Sequence, residues 1–299
     1  MNNWMKALSL HYGYMKEQYP DKDLMLIFDI DGCINDMQYQ LFRALQTFDQ
    51  LQGTHYFYRL KPDEIKIHED LLSLFLTEYQ LAPAQKEAFL SWYTSYRKSS
   101  RVQLRPMEGV IETICWFQMQ PRTAVGLKNI CSQDMHKKTI QALRKFGKDY
   151  QLKLHKELIY FPKHYAPSES AVESLSYFRK IGYHVICFVD SETQSLDAIA
   201  NEKDTRDILL LQADTVYRSN DMPVTDGVEK GSTYELRELV NEKDYLPPLT
   251  WFGMESMTGK ICGSFSHLTY NGARSMFKPC MKMDQCYCNT TIRWKRRRY

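Results

Sequence analysis

"LMLIFDIDGCINDM" occupies residues 24–37, and its reading decides the fold. Five apolar residues, Leu24 to Phe28, run without interruption into Asp29; Asp31 follows one residue later, with Gly32 behind it. A short unbroken apolar run marks a strand buried on both faces, as in a parallel sheet. In such sheets ligands collect at the carboxyl ends of the strands, beside the switch in strand order. Asp29 and Asp31 therefore stand where a site is expected, not where a buried strand would tolerate charge.

Working outward, a second buried strand is read in "YHVICFVDSETQSLD" (183–197), ending at Asp190. Strand signals at TAVGLKN (123–129), ELIYF (157–161) and DILLLQAD (207–214) alternate with helical ones. The helices are MEGVIETICWFQM (107–119), SQDMHKKTIQALRKFG (132–147, Ser132 as N-cap and Gly147 near the end), SESAVESLSYFRKIG (168–182) and SLDAIANEK (195–203). This alternation predicts an α/β fold, a Rossmann-like core whose parallel sheet carries helices on both faces. Between residues 37 and 105 the pattern is helical only, broken at Pro62 and Pro83 and closed by Pro106. Its aromatic residues Phe75, Phe89, Trp92 and Tyr96 sit at helical spacing and are expected to form that segment's own core. Residues 2–18 read as an amphipathic helix through Trp4, Leu8, His11 and Met15. The expected organisation is an N-terminal helical extension (1–23), a core (24–36 and 106–216), a helical insertion after the first strand (37–105) and an irregular C-terminal extension (217–299). Within the extension a helix is predicted over STYELRELVNEK (232–243), and no periodicity is legible from Leu246 onward.

Composition sets bounds. With 299 residues, 43% hydrophobic and 25% charged, the chain is long enough for one large or two modest domains. A net charge of +3 does not call for a nucleic-acid-binding surface, and no run of eighteen apolar residues predicts a membrane span. The scattered cysteines Cys33, Cys115, Cys131 and Cys187 read as reduced core residues, and the amino terminus lacks a signal-peptide pattern, so a cytoplasmic protein is expected. Cys262, Cys280, Cys286 and Cys288 lack the paired spacing of a zinc ribbon. The basic end, Arg293 to Tyr299, is expected to be a solvated tail.

Three acids, Asp29, Asp31 and Asp190, at the carboxyl ends of two strands make a hard, oxygen-rich site suited to Mg²⁺. An apolar strand ending in D-x-D-G resembles the first motif of the haloacid dehalogenase (HAD) superfamily. Asp190 resembles its fourth, acidic motif, and the helical insertion resembles its C1-type cap. The resemblance implies a Mg²⁺-dependent phosphohydrolase acting on a small phosphorylated metabolite. Asp29 would be the nucleophile that forms an aspartyl-phosphate, and Asp31 the acid and base. Gly32 would bend the chain and offer its N–H to phosphate. Mg²⁺ would be held by Asp29, the Asp31 carbonyl and Asp190, with Glu192 and Asp197 as outer carboxylates; an acid at Asp197 also suits a helix start.

Two positions depart from the family pattern. The second motif is a hydroxyl residue closing a strand, but TAVGLKN closes on Lys128 and Asn129; the Asn129 amide would bind phosphate instead. The third motif, a basic residue, falls on Lys163, with Lys128 as the substitute. The alternative is a catalytically weak or inactive HAD-like binding or regulatory protein. A nucleotide-sugar transferase, which also sets D-x-D after an apolar strand, is disfavoured because only residues 1–23 precede the motif.

Overall fold

The computed structural model describes residues 4–67, 71–97, 104–131, 135–148, 152–163, 166–214 and 227–239, and the strand segments 250–254, 261–265 and 293–297. The chain divides into two compact units, Met1–Leu236 and Arg237–Tyr299.

In the first unit, six parallel strands form one sheet in the order β3-β2-β1-β4-β5-β6. They are β1 (Leu24–Asp29), β2 (Thr123–Lys128), β3 (Ile159–Tyr160), β4 (His184–Asp190), β5 (Leu209–Ala213) and β6 (Glu229–Gly231). Every residue of β1 is buried, which is why its sequence runs apolar instead of alternating. The order reverses at β1, between β2 and β4, so the crevice at the carboxyl end of β1 is the topological switch point. Strand β6 lies past the boundary expected at residue 216 and extends the sheet. It was not legible because three residues, Glu-Lys-Gly, carry no apolar run.

Helices cover both faces. Helix α7 (Pro167–Lys180) and α8 (Thr193–Ala200) place Leu175, Phe178, Leu196 and Ile199 in one buried cluster with Met25, Ile27 and Phe188. Helix α1 (Trp4–Gln18) buries Met5, Leu8, Tyr12 and Met15 along one face. Its Tyr12 packs edge-on against Phe117 of α5 (Val110–Met119), 5.2 Å between ring centroids. The expected N-terminal extension is thus tied to the core. Trp4 Nε1 donates to the Thr233 carbonyl at 2.7 Å, and the Tyr19 hydroxyl donates to Asp207 at 2.6 Å. Gly109, at φ +78 before α5, has its α-hydrogen facing the Tyr234 carbonyl, where a Cβ would lie 1.9 Å from the oxygen. Gly109→Ala is therefore expected to destabilise the chain by more than about 2 kcal/mol, through collision and left-handed strain together; urea unfolding checks this.

The insertion contains α2 (Met37–Gln52), α3 (Leu72–Glu78) and α4 (Pro83–Arg97) around its own cluster of Leu45, Phe48, Phe57, Leu76, Phe89 and Tyr93. Phe75, Phe89 and Tyr96 are buried there, with Trp92 packed against them. Asp49, buried near the end of α2, organises the following turn: it accepts from Thr54 Oγ1 (2.6 Å) and from the N–H groups of Tyr56 (3.1 Å) and Phe57 (2.6 Å). Asp49→Ala would orphan these donors and is expected to lower stability by about 2–3 kcal/mol, with hydrogen exchange accelerating at 54–57 first. The insertion's two ends are zipped together. Asp36 N–H donates to the Arg105 carbonyl and Met107 N–H to the Ile34 carbonyl, both at 2.8 Å. Arg105 also pairs with the Asp36 carboxylate and lies over the Tyr39 ring at 4.3 Å.

Helix α6 (His136–Phe146) begins after Met135, and Ser132, the expected N-cap, lies outside the described residues. In place of a helix over 232–243 there is one 3-10 turn, Leu236–Glu238; residues 240–243 lie outside the described residues. The second unit contains an antiparallel sheet of order β8-β7-β9: β7 (Thr250–Met254), β8 (Ile261–Phe265) and β9 (Arg293–Arg297). The basic end expected to be a solvated tail is therefore part strand, pairing with β7. Cys262 falls in β8, and Cys280, Cys286 and Cys288 lie outside the described residues. No helix among the described residues is long and apolar enough to cross a membrane.

Candidate active site

The site follows from register. In the parallel pair β1–β2, Asp29 stands opposite Lys128, and in β1–β4, Phe28 stands opposite Val189, which brings Asp190 level with Asp29. Residues at one level of a sheet point to the same face. Lys128, Asp29 and Asp190 therefore form a row across three adjacent strands. Their contacts agree: Lys128 Nζ donates to Asp190 Oδ2 at 2.6 Å and lies 3.1 Å from Asp29 Oδ1 as an ion pair. All three are buried, with Lys128 and Asp190 0% exposed and Asp29 6%.

The electrostatics follow from that burial. Asp29 is pushed well above the usual carboxylate range, first by desolvation and further by the Asp190 and Asp31 charges, while Lys128 pulls it down. Lys128 is held in its charged form, because the two carboxylates outweigh the desolvation that would lower its pKa. Burial raises the pKa of the Cys33 and Cys187 thiols, in keeping with the core role expected for them.

Past β1 the chain turns. Asp31 is half-buried and its Oδ1 accepts from Asn35 Nδ2 at 2.8 Å. Gly32 has φ +83, a left-handed conformation that favours glycine. Its N–H, expected to face phosphate, donates instead to the Asn35 carbonyl at 3.2 Å, so Gly32 shapes the turn. On the β4 side, Asp190 Oδ1 accepts from the Glu192 N–H at 2.9 Å, and Ser191 Oγ reaches the Asp31 carbonyl at 3.4 Å. Glu192 is the N-cap of α8. Asp197 lies mid-helix, so it does not form the helix start expected of it.

Asn129 directly follows Lys128. It is 1% exposed, its N–H donates to the Tyr160 carbonyl at 3.1 Å, and its side-chain oxygen has no partner. Lys163 is not brought to the row. It is exposed beyond β3, its N–H donates to Glu173, and its ammonium makes no ion pair with Asp29 or Asp190. The cation beside Asp29 and Asp190 is Lys128, which parallel register places there.

The Mg²⁺ that the first motif implies would be held by Asp29 and Asp190 with the Asp31 carbonyl. A metal bridging Asp29 and Asp190 would stand between them, where the Lys128 ammonium stands. Both Asp190 oxygens already accept hydrogen bonds, one from Lys128 and one from Glu192. As arranged, the residues do not fit Mg²⁺.

No family model and no curated protein matches the chain. Solved structures do. A protein of Burkholderia xenovorans described as a haloacid dehalogenase-like hydrolase is 14% identical, with a TM-score of 0.43, over 74% of this chain and 100% of its own. Protein tyrosine kinase A of Mycobacterium tuberculosis is 15% identical at TM-score 0.45, over 73% and 96%. A HAD hydrolase of family IA, variant 3, from Entamoeba histolytica is 11% identical at TM-score 0.40, over 73% and 97%. Likenesses of this size carry nothing about activity.

Proposed function

We propose that the chain is a phosphohydrolase acting on a small phosphorylated metabolite through Asp29. The observation that carries this reading is the carboxylate row at the switch point, with Asp31 on the following turn and a helical insertion beginning directly after it. Asp29 would attack phosphorus as the ester P–O bond breaks, and Asp31 would pass its proton to the departing alkoxide. Asp31, now a carboxylate, would take a proton from water as that water attacks the aspartyl-phosphate, releasing phosphate and restoring Asp29. Lys128 serves this cycle by favouring the ionised, nucleophilic form of Asp29 against burial. Asn129 would bond a phosphoryl oxygen through its amide. The insertion, zipped at Asp36 and Arg105, would close over the substrate and exclude water, which suits small molecules.

A second reading, a phosphoryl-binding module without turnover, is favoured by one observation: β2 closes on Lys128 and Asn129 where the family's hydroxyl is expected. A panel of sugar phosphates, nucleotides and phosphorylated acids, assayed for released phosphate with the full chain, separates them. Release from at least one substrate supports hydrolysis. Binding of several substrates with no release from any supports the module.

A further inference from the structure

The buried row needs a cation. Two carboxylates at one level of a sheet, both shielded from water, repel each other and cannot both ionise unaided. The family to which the first motif points meets that need with a divalent ion. Here the chain meets it from within. Lys128, at the end of β2, reaches both carboxylates at 2.6 and 3.1 Å and is itself 0% exposed. An ammonium has three donors. One is given to Asp190 at 2.6 Å, and the ammonium lies 3.1 Å from Asp29 as an ion pair. Asn129, the next residue, is 1% exposed at the same strand end.

We infer that Lys128 is the resident cation of this site, standing where a divalent ion would bridge Asp29 and Asp190, so that phosphate-like oxyanions bind here without metal. The inference rests on the reading of the site as a phosphoryl site. It extends that reading by naming the ligand class, tetrahedral oxyanions, and by removing the metal requirement. Met at position 128 has similar length and no charge, so it opens the position between the carboxylates to an external ion.

The test is calorimetric titration of the full chain with orthovanadate and with inorganic phosphate, in EDTA and again in Mg²⁺. Wild type is expected to bind in EDTA, with an affinity that Mg²⁺ changes by less than about threefold. Lys128→Met is expected to lose about tenfold or more in EDTA and to recover in Mg²⁺. Wild-type binding that appears only with Mg²⁺ overturns the inference, and wild type decides this even where the variant does not fold. Metal-free binding without turnover leaves the inference standing and removes the hydrolase. Turnover together with binding that requires Mg²⁺ does the reverse. No oxyanion binding under either condition removes both.

Discussion

Replacing Lys128 with methionine is expected to lower the thermal midpoint of the first unit by roughly 10 °C. Removing one partner of a buried ion pair strands the remaining charge in a poorly polarisable interior, at a cost of about 3–5 kcal/mol. Here two carboxylates, Asp29 and Asp190, lose the same partner. Differential scanning calorimetry measures the effect. A shift of only a degree or two would mean that the ammonium does not hold the row. The double replacement Lys128→Met with Asp29→Asn provides the control. At pH values where Asp29 is ionised, the asparagine removes its repulsion with Asp190, so there the double variant should be more stable than Lys128→Met alone, a non-additivity expected of groups in contact.

Asp29→Asn is the second large effect, and it has opposite signs for activity and stability. In the role proposed for it, Asp29 cannot be replaced by an amide, so phosphate release should fall by about 10⁴-fold or more. Stability should respond through pH. Burial raises the Asp29 pKa in the folded chain above its ordinary value of 3.8. Between 3.8 and the folded value, the folded state binds more protons than the unfolded state. Unfolding free energy therefore declines as pH rises through that window, by up to about 1.4 kcal/mol per pH unit. Asparagine does not titrate. The wild type minus variant difference should thus fall with rising pH across the window, leaving Asp29→Asn relatively more stable at its upper end. Denaturant melts at a series of pH values read this directly. A flat difference would show that Asp29 is not held protonated by burial.

Much of this site was legible in the residues, for a physical reason. Strands β1 and β4 lie in the sheet interior, so their sequences are unbroken apolar runs, and the acids that end them mark the sheet's edge without further information. Helical spacing was enough to name Phe75, Phe89 and Tyr96 as members of one buried cluster. The partner of Asp29 was harder. Sequence distance to Asp190 favoured Lys163, but which cation meets Asp29 is decided by parallel register, and register depends on contacts between β1 and β2 far apart in the chain. Gly32 was placed correctly in a turn that needs positive φ, yet its N–H was assigned to a ligand when Asn35 takes it. Strands β6 and β9 lack local apolar runs, and pairing alone reveals them.

The clasp between Asp36 and Arg105 has an architectural consequence. Since the chain leaves the core and re-enters it at adjacent points joined by backbone hydrogen bonds, the inserted helices form a cassette. Splicing the flanks through a short turn should leave the sheet's threading untouched, and an unrelated helical domain whose ends lie equally close could be mounted on the same two anchor residues. Substrate choice would then be transplantable while the chemistry stays behind.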